Sequence, residues 1–191
     1  MIEVYFDGAC EPFNPKGIST YGYVIKKDGN IIHSDYGLAC NPLSEESSNN
    51  VAEYTAMIKA MKYLLQNHME KEDIVIYGDS QLTIRQMLGI YSVNAWRILP
   101  LYKKAKELEN RFSKISYKWI PREENNDADT LSHIAYDDYI DAHPDVLKHI
   151  KEFLATNKQK QLLDKLNIKY GKYIGKREAS NIISKRLKKF E

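Results

Sequence analysis

The first ten residues constrain the fold most, because they predict a buried strand that ends on an acidic side chain. Ile2, Val4 and Phe6 alternate with a glutamate and a tyrosine, and such alternation is typical of a strand with at least one buried face. Asp7 follows where we expect the strand to stop, and Gly8 permits a turn or a close approach of another group. The carboxylate is therefore either a loop cap or part of a site at the strand end.

The patterns that follow predict an α/β fold. Strand patterns at residues 20–27 and 30–39 are joined by Asp28 and Gly29, a hairpin signal that predicts an antiparallel meander of the first three strands. Apolar spacing of three and four predicts a helix from residue 51 to about 67, capped by Ser47 or Ser48. The later patterns predict strands at 73–77 and 115–120, and helices at 82–88, 99–112 and 127–139.

Three further acids occupy comparable element boundaries. Asp79 follows the strand at 73–77, while Glu53 and Asp129 lie in the first turns of predicted helices. Capping or the helix dipole explains each acid taken alone. If the strands that precede them are parallel neighbours, these acids and Asp7 converge at one edge of the sheet. Close carboxylates repel unless a cation neutralises them, and oxygen ligands without His or Cys suit Mg²⁺ or Mn²⁺ better than zinc.

Taken together, the motifs resemble type 1 ribonuclease H over roughly residues 1 to 140. The segments that carry the resemblance are Tyr5–Cys10, Asn49–Tyr54, Gly78–Gln81 and Pro121–Asp129. The resemblance implies a mixed five-stranded sheet flanked by helices. It also implies an endonuclease that hydrolyses the RNA strand of RNA/DNA hybrids with two divalent ions, leaving 5′-phosphate and 3′-hydroxyl ends.

The resemblance also implies roles for individual acids. Asp7 would hold both ions, and Asp129 would help hold the ion that activates the attacking water. Glu53 and Asp79 would hold the ion that stabilises the leaving 3′ oxygen, with Glu53 also near a 2′-hydroxyl. Two cations about 3.5–4 Å apart can clamp both oxygens of an in-line displacement.

Substrate-binding residues are implied in the same way. Asn14, Asn49, Asn50 and Gln81 would lie in the minor groove beside the cut, where amides can both donate to and accept from a 2′-hydroxyl. Ser48 would hold a phosphate of the DNA strand. The alternative for each is a loop or cap residue, although the functional reading is favoured for Asn50 and Gln81.

Two departures from the better-known bacterial members stand out. No histidine lies in the loop before Asp129, so a proton-shuttling histidine has no obvious owner and Glu124 is the nearest candidate. His133 lies one helical turn after Asp129 and could face the site, but a plain surface position is favoured. The stretch 89–100 carries the single basic residue Arg97, so the basic protrusion that some members use to grip the hybrid is expected to be absent.

The tail has the opposite charge from the body. Residues 1–150 hold 16 Lys and Arg against 22 Asp and Glu, whereas residues 151–191 hold 12 against 4. We expect a catalytic domain at 1–141 and a basic helical extension at 142–191 that forms a small hairpin and binds nucleic-acid backbone. The candidate contacts are Lys176, Arg177, Lys185 and Arg186. The alternative is a solvated basic face on helices that only pack against the body.

Composition excludes several classes of protein. At 191 residues with 43% apolar and 28% charged residues, the chain is typical of a globular domain with a small appendage. It lacks the pattern of a membrane span or of a secretory signal, and two cysteines are too few for a disulfide framework, so we expect a cytoplasmic protein. The alternatives to a hybrid-specific nuclease are a catalytically silent nucleic-acid-binding module and a nuclease that also cuts double-stranded RNA.

Overall fold

The alternating patterns of the N-terminal third form the antiparallel meander that the sequence predicts. A computed structural model describes residues 1–188, which contain one sheet of five strands and seven α-helices. The strands are β1 (Ile2–Glu11), β2 (Ile18–Lys27), β3 (Asn30–Leu38), β4 (Asp73–Gly78) and β5 (Lys114–Trp119). Their order in the sheet is β3-β2-β1-β4-β5, so β1 is central.

The sheet is mixed, as the sequence predicts. Strand β1 pairs antiparallel with β2 and parallel with β4, and β4 pairs parallel with β5. The parallel register places Phe6 opposite Gly78. Asp7 and Asp79 therefore come one residue beyond the last paired positions of two neighbouring strands, at the same edge of the parallel part of the sheet.

The prediction that β1 ends at Asp7 is wrong. The strand continues to Glu11 because β2 still pairs with it there, with Asp7 opposite Gly22 and Glu11 opposite Ile18. Asp7 thus lies within a strand that is flanked on both sides up to Phe6 and on one side beyond it.

Helices cover both faces of the sheet and extend past it. They are α1 (Asn49–Gln66), α2 (Gln81–Met87), α3 (Leu99–Glu109), α4 (Asn126–Ala142), α5 (Pro144–Ile150), α6 (Asn157–Lys165) and α7 (Lys176–Leu187). Helix α1 begins where Ser48 Oγ accepts a hydrogen bond from the Val51 N–H at 3.3 Å, as expected of an N-cap serine. Tyr54, Met57 and Leu64 of α1 are fully buried against the sheet in the main apolar core. Glu53 lies in the second turn of α1, not in the first as predicted.

The C-terminal extension forms the predicted helical pair and also contacts the body. Thr156 and Gln159 form the predicted capping box at the start of α6, and Leu163 packs with Ala179 and Ile183 of α7 in a small apolar cluster. A second cluster joins Ile150 to residues of β2 and α4. The division of the chain at residues 141 and 142 stays a prediction.

Membrane-spanning segments were sought in the part of the chain that the structure describes. Within residues 1–188, none of the helices has the length and apolar character needed to cross a bilayer.

Candidate active site

The contact between β1 and α1 brings the first two predicted acids together. A β-carbon built on Gly8 would lie 2.3 Å from the backbone nitrogen of Glu53 and 2.5 Å from the carbonyl carbon of Ala52. The two backbones can approach this closely only because Gly8 has no side chain. Asp7 therefore lies beside the turn of α1 that carries Glu53, whose Oε2 accepts a hydrogen bond of 2.6 Å from Thr83 Oγ1.

Asn125 ties the third acid to β1. Its Nδ2 donates to the carbonyl oxygen of Phe6 at 2.9 Å and to Oδ1 of Asp79 at 2.8 Å. Asn125 is 1% exposed and its Oδ1 is buried without a hydrogen-bond partner. Ser80, rather than Asp79, caps α2, so the carboxylate of Asp79 is not used for capping.

The fourth acid is connected to Asp7 through one serine. The hydroxyl of buried Ser132 lies 2.5 Å from Oδ2 of Asp7 and 2.9 Å from the carbonyl oxygen of Asp129, so its single proton is shared between these two acceptors. The carboxylate of Asp129 is itself engaged, because Arg122 Nη2 and Nε lie 2.6 and 2.9 Å from its Oδ1. Sequence reasoning missed Arg122, although its place in the Pro-Arg-Glu-Glu segment ahead of Asp129 was a usable signal.

Three of the four acids line one cavity. Asp7, Glu53 and Asp79 face a space of about 300 Å³, and Asp129 lines an adjacent cavity of about 150 Å³. Burial, together with the negative charges of Asp79 and Asp129, raises the pKa of Asp7 to about 6. Burial, together with Asp7 and Asp79, raises the pKa of Glu53 to about 8. These carboxylates are thus crowded enough to hold protons near neutral pH unless a cation joins them.

Two of the five predicted substrate residues line the cavity that contains Asp7, two line a neighbouring cavity and one lines neither. Asn14 and Asn49 line the first of these, and Asn14 Oδ1 accepts a hydrogen bond of 3.1 Å from the Asn49 N–H. The Asn49 side-chain oxygen is buried without a hydrogen-bond partner. Asn50 and Ser48 line a neighbouring cavity of about 290 Å³. Gln81, the first residue of α2, is exposed and lines neither cavity.

The stretch that was expected to lack a binding protrusion contributes an aromatic residue to that neighbouring cavity. Trp96 is 60% exposed, and the Arg97 guanidinium lies 5.4 Å from its ring centroid. Both residues line the cavity that contains Ser48 and Asn50. The tryptophan followed by an arginine in this stretch was the sequence signal for this position.

The expectation that His133 is a plain surface residue is wrong. Its Nδ1 lies 3.1 Å from Oε1 of Glu11 and its Nε2 lies 3.8 Å from Oδ1 of Asp129. Burial alone would lower the pKa of His133, but the hydrogen bond and the charge of Glu11, with Asp129 and Glu178, raise it to about 9. His133 is therefore a cation at neutral pH. Glu11 on β1 and Glu178 on α7 are far from His133 in sequence, whereas Asp129 lies one turn before it on α4. Glu124 is exposed in a short 3₁₀ turn and does not line the cavity.

Two of the four predicted tail cations line the cavity that contains the acids, and the other two do not. Arg177 and Lys185 line the same cavity as Asp7, Glu53 and Asp79. Lys176 donates to the carbonyl oxygen of Glu152, and Arg186 lines a more open cavity with Lys185 and Lys188.

Comparisons with known proteins agree with this architecture. A profile of the family described as reverse transcriptase-like matches residues 5–135. A bifunctional protein of Mycobacterium tuberculosis is 34% identical over 91 residues, which are 48% of this chain and 24% of that protein. Ribonuclease HI of Halobacterium salinarum is 33% identical over 138 residues, covering 72% of this chain and 65% of that one. The chain thus spans about a quarter of the mycobacterial relatives that it matches.

Solved structures extend the comparison. The crystal structure of the Halobacterium salinarum RNase H1 superposes with a TM-score of 0.64 at 33% identity, covering 72% of this chain and 98% of that one. LC11-RNase H1 in complex with an RNA/DNA hybrid superposes with a TM-score of 0.65 at 30% identity, covering 73% and 99%. This likeness accounts for both the sequence motifs and the sheet order. The chain therefore belongs to the type 1 ribonuclease H family within the reverse transcriptase-like group.

Proposed function

We propose that this protein is an endonuclease that hydrolyses the RNA strand of RNA/DNA hybrids. The observation that carries the proposal is the gathering of Asp7, Glu53 and Asp79 around one cavity, with Asp129 joined to Asp7 through Ser132. The relative that is solved with a hybrid shares this fold over 73% of the chain.

The donor set fits hard divalent cations. The four side chains offer carboxylate oxygens only, and the raised pKa values of Asp7 and Glu53 show that burial and mutual repulsion disfavour their ionised forms. Two Mg²⁺ or Mn²⁺ ions held by these acids would offset that repulsion and supply Lewis-acid activation of water and stabilisation of the leaving 3′ oxygen. Asp7 would be shared between the ions, Glu53 and Asp79 would serve one, and Asp129 would serve the other after exchanging its ion pair with Arg122.

The surrounding side chains would keep the acids in place during the reaction. Thr83 fixes Glu53 and Ser132 fixes Asp7, while Asn125 fixes Asp79 relative to the β1 backbone. These hydrogen bonds go to the carboxyl oxygens that would bind a cation, and they would strengthen once the cation ionises the carboxyl groups, because bonds to charged groups are stronger than neutral ones. The preorganised carboxylates are the main contribution of the chain to the chemistry.

Discrimination of RNA from DNA would come from amides beside the acids. Asn49 lines the cavity that contains these acids and its Oδ1 is buried without a hydrogen-bond partner, so a turn of this side chain would offer an unused acceptor to a 2′-hydroxyl. Asn14 lines the same cavity, while Asn50 and Gln81, which lie outside it, would contact the minor groove. Ser48 would hold a DNA-strand phosphate in addition to capping α1. Products would carry 5′-phosphate and 3′-hydroxyl ends.

The proposal is tested with a labelled RNA/DNA hybrid beside matched DNA/DNA and RNA/RNA duplexes, each with Mg²⁺, Mn²⁺ or chelator. We expect cutting of the hybrid RNA strand that chelator abolishes. Asp7→Asn should fold normally and lose this cutting, whereas Glu107→Gln, which changes an exposed acid on α3, should retain it. Metal-dependent cutting that survives in the Asp7→Asn variant would show that the site is wrong. Equal cutting of the RNA/RNA duplex would support the broader nuclease, and hybrid binding without any cutting would support the silent binding module.

A further inference from the structure

Helix α7 presents a row of polar side chains to the catalytic cavity, the cavity of about 300 Å³ that is lined by Asp7, Glu53 and Asp79. Arg177, Asn181 and Lys185 follow one another at every fourth residue, so they lie along one side of the helix. All three line the cavity that also contains Asp7, Glu53 and Asp79, and all three are exposed within it. The C-terminal extension is therefore a wall of the same space that holds the acids.

The opposite side of α7 is held by apolar packing. Ala179 is fully buried and Ile183 is 8% exposed, and both pack against Leu163 of α6. The two sides of α7 thus contact different neighbours, and rotation of α7 would expose its apolar side. This arrangement fixes which residues of α7 face the acids.

A cluster of ionisable groups fastens the start of α7 to the body. Glu178 contacts Arg122 at 3.9 Å and shares a hydrogen bond with Glu11, which also contacts His133. Gly175, just before the helix, packs so closely against Pro12 that an added β-carbon would lie 3.0 Å from the Pro12 carbonyl oxygen. Three elements, β1, α4 and α7, therefore meet at one junction beside the catalytic cavity.

The positive charges that line this cavity differ in their availability. Arg122 is paired with Asp129, and His133 is paired with Glu11. Arg177 and Lys185 make no ion pair within 4.0 Å among residues 1–188. They are the cations of this lining that can meet a phosphate without first breaking an existing pair.

We propose that α7 is an integral part of the substrate site, in which Arg177 and Lys185 bind backbone phosphates next to the scissile position and Asn181 donates to the same backbone. This inference rests on the proposed function for the identity of the substrate. The extension therefore does not bind nucleic acid at a separate surface, because two of its cations line the same cavity as the acids. Phosphates next to the scissile position need positive charge beyond the cations held by the acids, since residues 1–150 are net acidic.

The first experiment measures binding without cleavage. The 191-residue chain carrying Asp7→Asn is titrated with a fluorescent RNA/DNA hybrid over a range of NaCl concentrations. Arg177→Gln and Lys185→Gln, each added to this background, should weaken binding and reduce the slope of log affinity against log salt by about one per cation. Lys158→Gln is the matched control, because it removes an exposed charge on α6 away from the cavity. Thermal melts of all variants should coincide, since the three side chains are exposed.

The second experiment measures cleavage in the otherwise unaltered chain. Arg177→Gln and Lys185→Gln should lower kcat/KM for the hybrid, while Lys158→Gln should not. Affinity and salt slope equal to those of the Lys158→Gln control would overturn the inference. Faster cleavage by a variant that carries both Arg177→Gln and Lys185→Gln would also overturn it, because it would mean that α7 covers the site. If the unaltered chain does not cut the hybrid yet binding still depends on both cations, the proposed function fails and the role of α7 stands.

Discussion

Replacing Gly8 with alanine tests the contact on which the site is built. The new β-carbon would lie 2.3 Å from the Glu53 nitrogen and 2.5 Å from the Ala52 carbonyl carbon, whereas non-bonded heavy atoms prefer about 3.5–4.0 Å. Both nearest groups belong to the backbone of α1, so no side-chain rotation relieves the clash. Strand β1 and helix α1 would have to separate by about 1 Å to restore ordinary contact.

The loss of unfolding free energy depends on the kind of contact that is overpacked. Overpacking a core contact destabilises proteins by about 1–3 kcal/mol. For a domain of this size each kcal/mol lowers Tm by about 2–4 °C, so we expect a decrease of about 2–12 °C. Because Asp7 and Glu53 flank the contact, the same shift should misplace the carboxylates, and a displacement near 1 Å can reduce rate by about 10²-fold.

Gly37→Ala is the matched control for Gly8→Ala. Gly37 lies in β3, and its added β-carbon would lie 3.4 Å from the Tyr21 ring, which is ordinary contact. We expect its unfolding free energy to stay within about 0.5 kcal/mol of the parent. Calorimetry of both variants and cleavage of a labelled hybrid are the measurements. A Gly8→Ala protein that melts within about 1 °C of the control and cuts at the parent rate would refute the reasoning.

The remaining predictions concern single side chains around the acids. In chelator, the parent should lose stability as pH rises, because the pKa of Glu53 is raised from 4.5 to about 8 in the folded state. The stabilisation from this carboxyl group is complete below pH 4.5 and is lost as pH rises through 8, so Glu53→Gln should remove this pH dependence. Parallel curves of Tm against pH from 5 to 9 for the two proteins would contradict this. Asn125→Ala should lower the unfolding free energy by about 1–3 kcal/mol in urea titration, since the buried Phe6 carbonyl and Asp79 each lose a hydrogen bond, and an unchanged midpoint would argue against it. Ser48→Ala should lower the unfolding free energy by about 0.5–2 kcal/mol, while Ser48→Asp should keep the α1 cap. Ser48→Asp should nevertheless weaken hybrid binding if a DNA phosphate contacts this residue. Equal hybrid binding by Ser48→Ala and Ser48→Asp would mean that Ser48 acts only as a cap.

Local patterns in the sequence were enough to predict most of the elements. The alternation of Ile2, Val4 and Phe6 predicted a buried strand, and the capping signals at Ser48 and Thr156 marked the starts of α1 and α6. These features are determined by residues within one or two turns of each other, so they can be read without knowing the rest of the fold. The order of the acidic motifs also predicted the family correctly.

Features that depend on distant partners were not predicted. The end of β1 was placed at Asp7, but the strand runs to Glu11 because β2 continues to pair with it. His133 has the sequence neighbourhood of a surface residue, and its partner Glu11 lies 122 positions earlier. Nothing near either residue signals this contact.

The sequence by itself determined the strand and helix periodicities, the acidic motifs and the basic character of the tail. Only the tertiary structure decided that Gly8 lets α1 approach β1 and that the Arg177 side of α7 faces Asp7 across the same cavity. The physical reason is that periodicity and capping are local interactions, whereas close backbone approach and the burial of charged groups depend on which segments pack together. That packing is specified by contacts spread over the whole chain.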